Sequence, residues 1–496
     1  MDQPMQQPVP PPHHSYPPPP HSFPPPFFPP PPPEPPRKPP RAHDPLAIAL
    51  ANASLLSIGY FLMRRWLFAI GSLVVTAGLV VVLCTALRTE WLEIVLVVWW
   101  LAMIVHGWFL AGGRKRTVVR IQWVIAVAVT LPVLLIVGLV RFDAAGIDRT
   151  VMDARGSGDC AQAEPALNGV WFGHRVIDAP MTARADQTEQ ACARLGAASS
   201  RFTTALTGDT GALRIAFDDL AGVLTVLPGH ERMVDTTLDG FLGRLPAPDP
   251  CDTVAITNWL GQRSKTGDAL DRSVDVVSRT APTALVECGD ANMAASGWEA
   301  ARTNYQQLLD QFPGHELTTR AQEGVTKATQ AIELANVRDL LQQPGSAGLP
   351  AYCSSPAAYS AAAPYGPGTN RAVFVGDGEF PGRLPGEWRA GDAAEAVLVV
   401  CVGEQERGAP VETCSYTTEG SGVSGNTTFH NIAVPVRAYE LRTGNLVFDA
   451  RVEIGGVSCP QRFTSFGVAG SAPPAQWNVE PSDGNVRDAF APVITR

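Results

Sequence analysis

The chain carries no recognisable catalytic or cofactor signature. It has no glycine-rich nucleotide loop, no Gly-x-Ser-x-Gly elbow and no His-Glu-x-x-His pair. His230-Glu231 has no second histidine at helical spacing, and Gly376-Asp377-Gly378 precedes no clear helix and reads as a turn. No Cys-x-x-Cys pair occurs, which argues against a zinc site, and His13, His14 and His21 are too sparse for another metal. Asn426-Thr427-Thr428 is a glycosylation triplet of a kind common by chance. The first 45 residues lack the apolar core of a signal peptide, so export is expected to rest on internal spans. Charge is scarce too, at 17% of 496 residues against 45% hydrophobic. No catalytic residue, cofactor or metal ligand is therefore assigned, and a protein without enzymatic activity is expected.

What is present is divided unevenly. Eight of the nine cysteines follow residue 150, and the three strongly apolar segments precede it. Residues 1–140 hold 10 basic and 5 acidic side chains, whereas the remainder holds 28 and 42. This partition predicts a membrane anchor followed by a domain that folds in an oxidising space. The acidic remainder is a poor nucleic-acid binder, because phosphate contacts need clustered Lys and Arg.

About half of the 45 prolines lie in residues 1–45, in runs such as Pro17 to Pro20 and Pro29 to Pro33. Proline fixes φ and lacks an N–H, so residues 1–44 are expected to be a disordered tail of polyproline II character, either a spacer or a docking strip. Spans are predicted at 66–87, 91–111 and 121–140, with Trp66, Trp91, Trp108 and Trp123 at or near their ends. Arg114, Lys115, Arg116 and Arg120 place the loop between the second and third spans in the cytoplasm. Residues after 141 are then extracytoplasmic, and Arg64 and Arg65 are inside. Residues 45–63 are uncharged and nearly long enough to cross, but Asn52, Ser54, Ser57, Gly59 and Tyr60 weaken them as a span. They are expected to be interfacial or re-entrant, leaving the tail cytoplasmic; a fourth crossing is the alternative. Glu93 and His106 lie near span ends and are expected to snorkel towards headgroups.

From 151 to 341 the pattern is helical. In residues 210–227, Leu213, Ile215, Phe217, Leu220, Val223 and Leu224 mark an apolar face, ended by Pro228-Gly229; Pro246, Pro248 and Pro250 mark a further break. The most specific motif is WEAARTNYQQLLDQFP, residues 298–313. Ala301, Tyr305, Leu308 and Pro313, with Trp298 ahead of them, resemble the second helix of a tetratricopeptide repeat. A further helix over 317–341 buries Ala321, Val325, Ala328 and Ile332. The resemblance implies helix pairs that bind a protein or peptide on a concave face, although no period of about 34 residues runs through 151–290.

Residues 342–368, rich in Gly, Ala, Ser and Pro, read as a linker. A small α+β domain is predicted over 369–496. Residues 372–375 and 396–402 are short buried strands. Ile432, Val434, Val436 and Ala438 alternate, as do Leu446 through Ile454, across the Arg442-Thr443-Gly444-Asn445 turn. A closing helix falls at 485–494. Cys160, Cys192, Cys251 and Cys288 lie in the helical part, and Cys353, Cys401, Cys414 and Cys459 in the β part. Eight cysteines allow 105 pairings. Proximity favours Cys160–Cys192 and Cys251–Cys288. A hairpin around Gly408-Ala409-Pro410 would face Cys401 with Cys414 and leave Cys353 for Cys459. Cys84 lies within a span and is expected to pack there.

The plan as a whole resembles uncharacterised multi-pass membrane proteins of actinobacterial type. The proline-rich tail, the DPLAIALANASLLSIGYFLMRRW stretch and the helical then β exterior with paired cysteines carry the resemblance. The expectation is a cell-envelope scaffold in the cell membrane, with the lipid bilayer and an external protein or peptide as partners. A sensor coupled to the tail and an envelope enzyme using the terminal domain are the alternatives.

Overall fold

A computed structural model describes residues 43–85, 90–113, 119–462, 464 and 471–496. The expected tail up to residue 42 and the cationic triplet at 114–116 lie outside these residues. The chain forms two compact units, residues 1–141 and 142–496.

The first unit starts with α1 (Pro45–Asn52), where Pro45 opens the helix and Asp44 caps it by accepting from the Leu46 and Ala47 amides. Left-handed Leu55 and Ser57 then reverse the chain into α2 (Ile58–Leu62). Three long helices follow: α3 (Trp66–Thr85), α4 (Glu90–Leu110) and α5 (Arg120–Ser157). All three are long and apolar enough to cross a membrane. Their outer faces expose large apolar side chains such as Leu67, Val74, Trp91 and Leu139, as suits lipid contact.

The helix that carries the third expected span runs on past residue 140. It continues to Ser157 because Ala144, Ile147, Val151 and Ala154 extend a buried stripe at helical spacing beyond the apolar run.

In the second unit, α6 (Cys160–Asn168), α7 (Phe172–Ile177), α8 (Ala179–Ala205), α9 (Thr210–Val226) and α10 (Glu231–Leu242) precede α11 (Pro250–Gly261), α12 (Asp275–Ala294), α13 (Trp298–Gln311) and α14 (Thr318–Gln342). The core between α8, α9 and α10 is aromatic: Phe202 stacks on Phe241 with centroids 4.3 Å apart and meets Phe217 edge-on. The α9 face is as expected for Leu213, Phe217, Leu220 and Val223, but Ile215 is exposed; Ala216 takes the buried place, since 213, 216, 217, 220 and 223 follow the helical period and 215 does not.

The expected linker at 342–368 is built into the fold instead. Tyr352, Cys353 and Ala362 are buried, and the Tyr439 hydroxyl donates to the Cys353 carbonyl at 3.1 Å. Composition misled here because small residues allow close packing as readily as they allow freedom.

The sheet is organised by one long strand. Its strands are β1 (Ala372–Gly376), β2 (Leu398–Val402), β3 (Glu406–Thr417), β4 (Ser424–Glu440), β5 (Leu446–Ile454) and β6 (Gln476–Asn478). β2 and β3 lie end to end along one edge of β4, both antiparallel to it, while β5 and β6 take the other edge. β1 joins β2 in parallel. The turn predicted at Arg442 to Asn445 joins β4 to β5, with Gly444 at φ 73°. Leu398, Val400 and Val402 face α15 (Asp483–Ile494), whereas Val399 and Cys401 face Tyr352 and the end of α14. A fully buried β2 between two helical layers explains why its sequence is continuously apolar.

Candidate functional site

Four disulfides join the cysteines after residue 150: Cys160–Cys192, Cys251–Cys288, Cys353–Cys401 and Cys414–Cys459. The first two pair as proximity suggests. The last two correct the expected Cys401–Cys414 and Cys353–Cys459 pairs. Gly408-Ala409-Pro410 is no hairpin but an irregular stretch inside β3. With β2 and β3 running the same way along β4, Cys401 and Cys414 are 13 residues apart on an extended path, roughly 40 Å. Glu412 lies beside Cys414 and Cys459, but both sulfurs are bonded to each other and present no thiolate to a metal.

The motif residues come together on α13. Ala301, Tyr305 and Leu308 are buried, Trp298 is half-buried, and Pro313 is exposed just beyond the helix end. α13 packs between α12 and α14, and Cys251–Cys288 ties α11 to α12. The Tyr305 ring fills a slot that two glycines open. A Cβ at Gly289 of α12 would stand 2.5 Å from the ring, and one at Gly324 of α14 would stand 2.7 Å away. The Tyr305 hydroxyl donates to Asp290 at 2.6 Å, and Asp290 pairs with Arg320 of α14. Burial, then the Asp290 bond and charge, push the Tyr305 hydroxyl well above the usual phenol range. It is a fixed donor rather than a titrating group. Sequence reasoning missed Gly289 and Gly324; the Cys288-Gly289 pair twelve residues before Ala301 was the available signal.

The outward face of α13 is a polar depression of about 420 Å³ lined by Arg302, Thr303, Gln306, Gln307, Asp310 and Gln311. Gln307 and Asn258 of α11 join their amides there, and Gln306 donates to Asp310 at 2.9 Å. It offers both donors and acceptors, with one guanidinium and one carboxylate, on a rigid helix.

A second polar cluster lies between α5, α8 and α10. Arg155 donates to the Thr188 hydroxyl at 2.8 Å and to the Arg184 carbonyl at 2.8 Å. The buried His230 joins Thr188 at 3.2 Å through Nε2 and the Leu227 carbonyl at 2.9 Å through Nδ1. A carbonyl can only accept, so Nδ1 carries a proton; the Thr188 hydroxyl beside Nε2 donates to the Arg184 carbonyl at 2.9 Å. Burial lowers the His230 pKa, and the Arg155 charge adds to this. The cluster is enclosed and reads as a structural bolt.

In the membrane unit, Glu93 pairs with Arg141 at 3.4 Å and His106 meets the Tyr60 hydroxyl at 2.9 Å through Nδ1. Both expected snorkelling groups thus have protein partners. Cys84 lies in α3 and takes part in none of the four disulfides.

No protein-family profile matches this chain, and no curated protein or solved structure proves similar to it.

Proposed function

We propose that this protein is a membrane-anchored scaffold whose second unit lies outside the cell membrane and binds a protein or peptide. One observation carries the reading: the α12–α13–α14 stack, with Tyr305 wedged between Gly289 and Gly324. That is the packing a tetratricopeptide-type pair needs. Cys288-Gly289 on α12, Ala301 and Tyr305 on α13, and Pro313 just beyond it follow the spacing of that repeat's two helices. The polar depression on α13 supplies the contact surface.

Sidedness is supported by the disulfides, all of which join cysteines beyond residue 150. The α1–α2 hairpin supports a re-entrant segment with a cytoplasmic tail. The Asp44 amide donates to Gln122 and its carboxylate accepts from Trp123, both at the start of α5. Deeper in, Thr130 donates to the Leu50 carbonyl and Trp100 to that of Ala53. The chain then returns, so that Tyr60 meets His106 near the end of α4. Entry and exit fall at the same end of the spans, by the last turns of α4 and the first turn of α5.

A photo-crosslinker at Gln306 in the full chain, in cells, tests the binding reading. Discrete protein adducts are expected at Gln306 and not at Ser200, on the exposed side of α8. Equal, weak labelling at both sites would reject the proposed surface.

A further inference from the structure

The segment between α6 and α7 is shaped for a task that the scaffold reading leaves unused. Trp171 and Phe172 are 55% and 67% exposed, although neighbouring Val170 and His174 are packed inward. Two adjacent exposed aromatics are costly to leave in water, since each keeps a large apolar area wet. Yet the segment is held rigidly. His174 is fully buried, accepts the Trp171 amide on Nδ1 at 3.3 Å and donates through Nε2 to Asp143 at 3.0 Å. The Trp171 ring leans edge-on to His174, with centroids 5.6 Å apart, over Gly173, where any Cβ would strike it at 2.2 Å. Ala166, Leu167 and Val170 pack on Ala144, Ile147 and Val151 of α5.

The tether identifies what covers the exposed pair. Asp143 follows Val140, the last residue of the third apolar run, by three residues, which is at most about 10 Å of chain. Between them Phe142 is itself 74% exposed. His174 thus ties the Trp171–Phe172 segment to Asp143, the residue that follows Phe142. Trp and other amphipathic rings favour the lipid–water interface, where the ring is buried among lipid and the indole N–H meets headgroups.

We infer that Trp171 and Phe172 insert into the lipid–water interface of the membrane that the spans cross, forming an interfacial foothold secured by His174 and Asp143. The occupant of this aromatic surface is lipid, not a protein partner.

The test places benzoyl-phenylalanine at Phe172 in the full chain, in its native membrane, and reads adduct masses after irradiation. Lipid adducts at Phe172, absent when the same probe replaces exposed Ile215 of α9, are the expected result. Peptide adducts would show a protein or a second copy on this surface and overturn the inference. Absence of any adduct would show the side chain in water and do the same. As a second measurement, the full chain is placed in nanodiscs of brominated lipid, and the emission lost in Trp171→Phe is compared with wild type. The Trp171 contribution should be quenched more by bromine near the head of the acyl chain than near its methyl end. Quenching by aqueous iodide instead would count against lipid contact.

Discussion

Two glycines decide how closely the α12–α13–α14 helices approach, because the Tyr305 ring occupies the space that a side chain would need. An alanine at 289 must displace the flat ring of a buried tyrosine, not the end of a flexible chain. Gly289→Ala is therefore expected to destabilise the fold by about 1–3 kcal/mol, despite the better helix propensity of alanine. Thermal melts of the purified full chain would read this. Combining Gly289→Ala with Tyr305→Leu should cost less than the two changes summed, because the clash is removed with the ring. Strict additivity would mean that the slot is not what holds the helices. At the second cluster, His230 is held neutral between Thr188 and Leu227, with Arg155 alongside and Glu231 as the nearby counter-charge. A histidine whose folded pKa is lowered binds more protons when unfolded. Its contribution is thus full above the unfolded pKa of about 6.5 and is lost as pH falls towards the lowered folded value. The melting temperature of the wild type should fall on acidification below that point, and His230→Gln should flatten this limb while lowering the neutral-pH value. An unchanged acid limb would place the effect elsewhere.

At the scale of elements, what could be read in advance depended on how local the cause was. The β4–β5 hairpin is set by alternation on both arms and a glycine turn, all within residues 432–454, and it forms as expected. α13 and α15 are equally local, the latter opened by a Ser482–Asn485 capping box. The fully buried β2, the burial of Tyr352, Cys353 and Ala362, and the end-to-end placement of β2 and β3 are not local. They follow from β4 being 17 residues long, which lets one strand serve two neighbours on each edge. Cysteine partners on that sheet depend on register and could not be read from spacing. Helix-to-helix bridges depend on neighbours in sequence and could. The Cys251–Cys288 bridge closes a loop of 37 residues between α11 and α12. Replacing both cysteines by alanine should cost about 2–4 kcal/mol, read from denaturant midpoints, and should loosen α11 first because its N-terminal end is fixed by this bond. A change that leaves the midpoint unmoved would mean that the α11–α14 stack needs no clamp.

At the scale of the whole molecule, the distribution of sulfur ties the fold to where it can exist. Eight cysteines are spent in four bridges within residues 142–496, and the ninth, Cys84, sits in an apolar helix. Two of the bridges hold the helical layer and two hold the sheet, so each layer carries its own restraint where apolar burial is shared through α14. A chain of this kind, folded in a reducing space, would form none of the four bridges, since thiols are kept reduced there. Alkylation of denatured protein taken straight from membranes should accordingly add one label to the unreduced chain, at Cys84, and nine after reduction. Labelling of Cys353 and Cys401 as well, without reductant, would show that this one bridge is reduced while the other three are formed. Nine labels without reductant would mean that the native chain carries no bridges, and the case for an exterior second unit would lose the feature that most directly supports it.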